Sequence, residues 1–196
     1  MRPVTATRPA EPDDLLVARA TRGDRPALEE LFRRHRDPAY RVAYRLLGHS
    51  EDALDAVQDG FIKALTNIRG FESRCSFKTW LLRVVSNAAL DIGRQRRRRD
   101  ELSAAASDRA SADGGMTPDH ADPGREAEEA DLRRALSDAL RHLPETQRRT
   151  FVLFVDGGLS YREVAEAMGI SIGTVMSRLF YARQKLKRIL AARVTP

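Results

Sequence analysis

Ser86, Asn87 and Asp91 lie on one stretch of predicted helix among arginines, and they are the nearest this sequence comes to a reactive cluster. A nucleic-acid enzyme would need a nucleophilic Ser or Tyr, or carboxylates able to hold a metal, inside a cradle of cations. These three residues do not make such a set, and no glycine-rich phosphate loop occurs. The single cysteine, Cys75, excludes an internal disulfide and any cysteine-rich zinc site. His35, His49, His120 and His142 are scattered without helical i, i+4 pairing, so neither a metal nor another cofactor is expected. The residues read as those of a binding protein, not an enzyme.

Binding chemistry, by contrast, is plentiful. On a helical wheel Trp80, Arg83, Asn87, Asp91, Arg94 and Arg98 form one stripe, continued by the run Arg94–Arg99 and preceded by a loop holding Phe71 and Arg74. Arginines bind phosphate, aromatic faces stack unpaired bases for roughly 1–3 kcal/mol each, and Asn reads a base edge. The combination suits a strand drawn out of a duplex. A second role is open to each part: Trp80 and Phe77 as core aromatics, the Arg run as a solvated helix end. Further on, Ile172, Val175, Leu179, Ala182 and Leu186 are spaced as one buried stripe. Burying it turns Ser177, Tyr181, Lys185 and Arg188 outward, with Met176 and Phe180 at one flank. Such a helix can enter a major groove, and its first amides, Ser171 to Thr174, stand open to a phosphate. An ordinary solvated surface helix is the alternative.

The elements that position these residues are all helical. Asp13 and Asp14 can start a short helix ended by Gly23, and Asp24 caps a second with Pro26 in its first turn. Asp37-Pro38 repeats the start signal before a third, which stops at Gly48. Ser50 caps the next, with Ala53, Val57, Phe61, Ala64, Leu65 and Ile68 at core spacing. Ser76 caps a long helix from Phe77 to about Arg99. Helices are also expected over 127–142, 146–156 and 161–168. The last of these is joined by a glycine-containing turn to one over 172–192, a helix-turn-helix. The fold class is all-α, with no β-alternation and no hairpin signal.

Charge divides the 196 residues in three. Residues 1–99 carry 20 basic and 13 acidic side chains, net +7; residues 100–131 carry two and ten, net −8; residues 132–196 carry 12 and five, net +7. The middle segment is poor in large apolar residues and cannot offset the entropy of ordering itself. The expected organisation is a tail over 1–12, a helical domain over 13–99, an acidic flexible linker over 100–127 and a smaller domain over 128–196. The two basic domains point to nucleic acid. Thirty of the 34 basic residues are Arg; with Ala nearly as abundant, at 27, a G+C-rich genome accounts for that preference. The longest apolar run, Phe151–Val155, is too short for a bilayer. The Pro-containing start has no signal-peptide core, so a cytoplasmic protein is expected. With four residues after Ala192, no further C-terminal domain is expected.

In this order, the motifs resemble those of RNA polymerase sigma factors, in particular the compact extracytoplasmic-function (ECF) group of the sigma-70 family. DAVQDGFIKAL (Asp55–Leu65) is similar to the segment that docks on the clamp of the polymerase's largest subunit. FKTWLLRVVSNAALDIGRQRRRR (Phe77–Arg99) is similar to the segment that recognises and melts the -10 element. LPETQRRTFVLFVDGGLSYREVAEAMGISIGTVMSRLFYARQKL is similar to the -35 binding domain nearly throughout.

The resemblance implies that Asp55, Gln58 and Asp59 meet core polymerase, with Glu51 and Asp52 extending the acidic patch. It implies that Phe71, Arg74, Lys78, Trp80, Arg83, Asn87, Arg94 and Arg98 meet the -10 strand, with a flipped base received by the loop over 71–76. It implies that Tyr161, Ser171, Gly173, Thr174, Met176, Ser177, Arg178, Phe180, Tyr181 and Lys185 meet the -35 duplex. Partners would be core RNA polymerase, promoter DNA and an anti-sigma factor, with no membrane insertion. Many relatives carry basic residues where this chain has Met176 and Tyr181, whereas Arg178 and Arg183 match. The acidic linker has two roles open, a passenger in the RNA path or a plain tether. Cys75 reads as a plain small residue. A free-standing repressor using the same helix-turn-helix is the rival among binding proteins, and a recombinase the rival among enzymes.

Overall fold

A computed structural model describes residues 11–71, 74–104 and 135–194, all of whose regular structure is helical. Residues 1–10 of the expected tail, and 105–134, which take in most of the expected linker and the first residues of the expected second domain, lie outside the described residues. Among the described residues no helix is long and apolar enough to cross a membrane.

The first bundle has four helices: α1 (Asp13–Ala20), α2 (Arg25–Leu47), α3 (Ser50–Asn67) and α4 (Phe77–Ala104), with a 3₁₀ turn at Ile68–Gly70. The Asp24 side chain accepts from Ala27 N–H and starts α2, and Gly48 ends it at a φ of 72°. Asp37-Pro38 does not start a new helix; Pro38 lies inside α2. The buried series Leu31, His35, Ala39, Val42 and Ala43 runs through it without a phase change. Burial along that series offsets the roughly 3 kcal/mol that an interior proline costs. Ser50 is the first residue of α3 rather than its cap, a position held by His49 without a side-chain bond. Ser76 caps α4 as expected, its Oγ accepting from Thr79 N–H at 3.1 Å. The helix then runs past Arg99 to Ala104, because Asp100–Ala104 contains neither Gly nor Pro.

Small residues set how closely α3 and α4 cross. Ala53, Ala56, Gly60 and Ala64 make the buried face of α3. A Cβ at Gly60 would lie 2.6 Å from Val85 Cγ2 and 3.1 Å from its Cα. The two helices therefore touch there almost backbone to backbone, which fixes the direction of the outer face of α3.

The second bundle comprises α5 (described over 135–141), α6 (Glu145–Val155), α7 (Tyr161–Met168) and α8 (Ile172–Val194). Ser160 and Glu163 form a reciprocal capping box: Ser160 Oγ accepts from Glu163 N–H, and Ser160 N–H donates to Glu163 Oε2 at 2.8 Å. Gly169, at a φ of 65°, ends α7. Ser171 Oγ accepts from Thr174 N–H at 3.1 Å and starts α8. The helix-turn-helix read from the sequence is present.

The two bundles pack against each other. Thr79 Oγ1 donates to Glu163 Oε1 at 3.2 Å, Lys78 Nζ to the Gly158 carbonyl at 3.2 Å and Arg149 Nε to Ser86 Oγ at 3.2 Å. Arg94 pairs with Glu145 at 2.6 Å and Arg45 with Asp156 at 3.2 Å. Beside them Gly157 approaches Leu82 so closely that a Cβ would stand 3.1 Å from Leu82 Cδ1.

The α3–α4 crossing yields a test. Gly60→Ala gains about 1 kcal/mol in helix propensity but forces the crossing apart, an overpacking cost of about 1–3 kcal/mol. The expected outcome is a lower urea midpoint with an unchanged m-value.

Candidate nucleic-acid and polymerase interfaces

On α3, burial of the alanine face turns Asp55, Gln58 and Asp59 outward, all three exposed. Sequence reasoning missed their apolar companions, Leu54 and Ile62, which are 57% and 50% exposed one turn to either side of Gln58. The signal was present: Leu54, Gln58 and Ile62 are spaced by four, opposite Ala56 and Gly60. Leu65, assigned to the core series, instead extends this outer stripe at 39% exposure. Glu51 is exposed, but Asp52 turns toward α4 and pairs with Arg96 at 2.6 Å, so the acidic patch is narrower than expected.

The loop and the start of α4 form an aromatic group. Phe77 is buried at its base, with Phe71 and Trp80 half-buried above it. Ring centroids lie 5.2 Å apart for Phe71–Trp80 and 5.8 Å for Phe77–Trp80. Trp80 is thus tied to its neighbours by packing and keeps only part of its surface outward. Arg83, Asn87 and Arg98 are exposed along α4, and Arg74 is exposed in the loop. Lys78 and Arg94 belong to the same set of expected -10 residues, yet here both bond to the second bundle. Cys75 is half-buried, and burial, with Glu166 nearby, pushes its thiol pKa up against the opposing effect of Arg83. That is the reverse of what a reactive thiolate needs.

On α8, Val175, Leu179, Ala182 and Leu186 are buried as expected. Ile172 is not: it is 46% exposed, because the first turn of α8 projects beyond the edge of the small core. Ser171, Gly173, Met176, Ser177, Phe180 and Tyr181 are exposed, and Thr174, Arg178 and Lys185 half-buried. Met176, Phe180 and Tyr181 each show more than half their surface, and the last two meet edge-on at 5.5 Å. With Ile172 they make an apolar ridge along the outer side of the helix. The amide of Thr174 is not open to a ligand, since it is bonded to Ser171 Oγ. Tyr161 packs on Phe154 at 5.0 Å, and the Arg183 guanidinium lies 5.6 Å from the same ring centroid. Both therefore pack on Phe154, Tyr161 half-buried and Arg183 exposed. Among the described residues no group of three or more His, Cys, Asp or Glu could hold a metal ion.

Comparison with known proteins agrees with this layout. Residues 31–99 match the model for sigma-70 region 2, and residues 133–186 match that for sigma-70 region 4. The chain is 37% identical over 187 residues to the ECF RNA polymerase sigma factor SigE of Mycolicibacterium smegmatis, spanning 92% of this chain and 69% of that protein. It is 33% identical over 177 residues to the ECF RNA polymerase sigma-E factor of Haemophilus influenzae, spanning 89% and 93%. Among solved structures it resembles CnrH in complex with the cytosolic domain of CnrY, with a TM-score of 0.70, 27% identity and coverage of 92% and 97%. It also resembles the sigma factor RpoE of Bartonella quintana in complex with the anti-sigma factor NepR, with a TM-score of 0.64, 26% identity and coverage of 86% and 98%. With region 2 as the first bundle and region 4 as the second, the chain belongs to the ECF group of the sigma-70 family, non-enzymatic factors that bind RNA polymerase and direct transcription initiation.

Proposed function

We propose that the chain reads two promoter elements from two rigid supports while a third face holds core polymerase. The observation that carries this reading is the separation of exposed faces. The outer stripes of α3, α4 and α8 each lie opposite a buried stripe, and each has its own chemistry. Asp55, Gln58 and Asp59, with Leu54 and Ile62, present an acidic and apolar surface suited to a basic, partly apolar clamp. Phe71 and Trp80, with Arg83 and Asn87, offer stacking, cation and base-edge chemistry for the unpaired non-template strand at -10. Capture there offsets the few kcal/mol that unstacking costs. On α8, Met176, Ser177, Phe180 and Tyr181 enter the -35 major groove, where apolar groups favour thymine methyls over guanine.

Geometry demands a rearrangement. Elements centred near -35 and -10 are roughly 85 Å apart at 3.4 Å per base pair. A compact chain of this length has a radius of gyration of about 16 Å. The contacts between the bundles must therefore part on the promoter, which frees Lys78 and Arg94 for DNA. Two structural relatives are complexes, one with CnrY and one with the anti-sigma factor NepR, and by analogy a separate anti-sigma partner would hold this chain in the cytoplasm. The decisive test is in vitro transcription with purified core polymerase on a genomic promoter library. Sequence-selective initiation supports the reading; tight duplex binding without polymerase would favour a free-standing repressor.

Three variants separate the faces. Asp55→Ala with Gln58→Ala is expected to weaken core binding by about tenfold, the effect of losing about 1.4 kcal/mol at an interface. The measurement is competition against another sigma factor, with the helical circular dichroism signal unchanged. Asn87→Ala is expected to reduce transcription from duplex promoters and to alter base preference at one -10 position. A premelted template that restores the rate but not the preference would assign Asn87 to reading as well as opening.

Met176→Arg is expected to change either salt dependence or base preference of the holoenzyme at -35. Contact with a phosphate steepens the logarithmic salt slope by about one. Contact with a base edge shifts preference toward guanine by about 1–3 kcal/mol. Binding to -35 variants across a salt series distinguishes the two, and no change in either would place Met176 away from DNA.

A further inference from the structure

Where the two bundles meet, the end of α2, the middle of α4 and the start of α6 enclose a cleft of about 380 Å³. That volume lies within the range of small-molecule sites, but the lining is unlike that of an apolar pocket. Arg96, Arg97, Arg141, Arg148 and His49 all border it. Asp52, Asp100 and Glu145 border it too. Asp52 is held by Arg96 at 2.6 Å, and Glu145 is held by Arg94, from outside the lining, at 2.6 Å. Asp100, an exposed residue, is then the remaining carboxylate among the described lining residues, against the guanidiniums of Arg97, Arg141 and Arg148.

Two buried nitrogens in the lining have no hydrogen-bond partner, His49 Nδ1 and Arg148 Nε. Arg148 is only 6% exposed, and burial is the first cause that lowers its pKa, followed by the adjacent charge of Arg97. The charges of Arg97 and Arg141 both act against that of Arg148, a repulsion that an anion lying between them relieves. The floor is also shaped for a guanidinium: a Cβ on Gly48 would lie 2.6 Å from Arg141 Nη2, so the absence of a side chain there lets Arg141 lie along the backbone. Arginine forks match phosphate oxygens in pairs.

We propose that this cleft is a binding site for a small phosphate-bearing anion, gripped by Arg97 of α4 and by Arg141 and Arg148 of the second bundle. Because those groups come from both bundles, the ligand binds the packed arrangement in preference to the parted one. By mass action it therefore favours the packed arrangement. The assignment is independent of the promoter reading, since binding is measured directly on the free chain.

The test uses the full-length chain in phosphate-free buffer at fixed chloride, titrated calorimetrically with orthophosphate, pyrophosphate and a nucleoside diphosphate. Saturable one-to-one binding of pyrophosphate is expected, with a matching rise in Tm. Arg141→Gln and Arg97→Gln are each expected to weaken it at least tenfold, whereas Arg25→Gln, on the exposed start of α2, leaves it unchanged. Arg148→Gln removes the most buried group and can disturb folding, so the other two variants carry the test. Equal affinity for pyrophosphate and the nucleotide assigns recognition to phosphate alone; tighter nucleotide binding adds the base, and both support the site. Binding that survives Arg141→Gln and Arg97→Gln would overturn it, as would weak, non-saturating uptake, which marks an adventitious ion only. Binding that emerges only after the ten carboxylates of residues 100–131 are converted to amides would also overturn it, by assigning the cleft to the chain's own acidic segment.

Discussion

The structure depends on α4 burying two faces at once. Phe77, Leu81, Val85 and Ala88 enter the first bundle, while Thr79, Leu82, Ser86 and Ala89 make a second buried stripe beside them. Three members of that second stripe are where the other bundle arrives, at Glu163, Gly157 and Arg149 respectively. Only the remaining third of the circumference, with Arg83, Asn87 and Arg98, is left to solvent. A helix with two sides committed to packing cannot roll, and its third side is held at a fixed angle. When the bundles part on the promoter, the face formed by Phe77, Leu81, Val85 and Ala88 still seats the helix in its own bundle and keeps that third side oriented.

The contact between bundles differs in kind from the contacts within them. The bundle interiors are aliphatic and closely packed, whereas the shared surface adds to the apolar contact at Leu82 and Gly157 a set of hydroxyls, guanidiniums and carboxylates. Partly exposed ion pairs contribute little individually and are screened by salt. Arg45–Asp156 is the more enclosed case, with side chains 18% and 11% exposed. There burial pushes the Asp156 carboxyl pKa up while the Arg45 charge pulls it down, so desolvation consumes part of what the pair contributes. Such a surface orders two bodies without welding them.

Much of this was legible in the sequence. Asp24, Ser76, Ser160, Gly48 and Gly169 mark helix ends by local chemistry, and local chemistry survives folding. The exposed positions Asp55, Gln58, Asn87, Met176 and Tyr181 followed from placing the opposite stripe inside. The failures have physical reasons. Asp37-Pro38 carries a start signal, but the core packing of α2 outweighs it. Ile172 and Leu65 fit the helical period yet lie where the small cores end, and periodicity carries no information about how far a core extends. The second buried stripe of α4 was missed because Thr79 and Ser86 are polar; they are buried by a partner bundle distant in sequence. For the same reason nothing local marked Lys78 and Arg94 as engaged.

Glu163 divides its two oxygens between two tasks. Oε2 receives the Ser160 amide and hydroxyl, each at 2.8 Å, and so completes the start of α7. Oε1 faces the other bundle and receives Thr79 at 3.2 Å. Parting the bundles removes only the second set of bonds, and the helix start remains intact. Substitution at Thr79 can then tune how firmly the bundles hold each other while the integrity of the helix-turn-helix stays out of the trade. Thr79 is thus one position at which the hold between the bundles can change while the start of α7 keeps its own bonds.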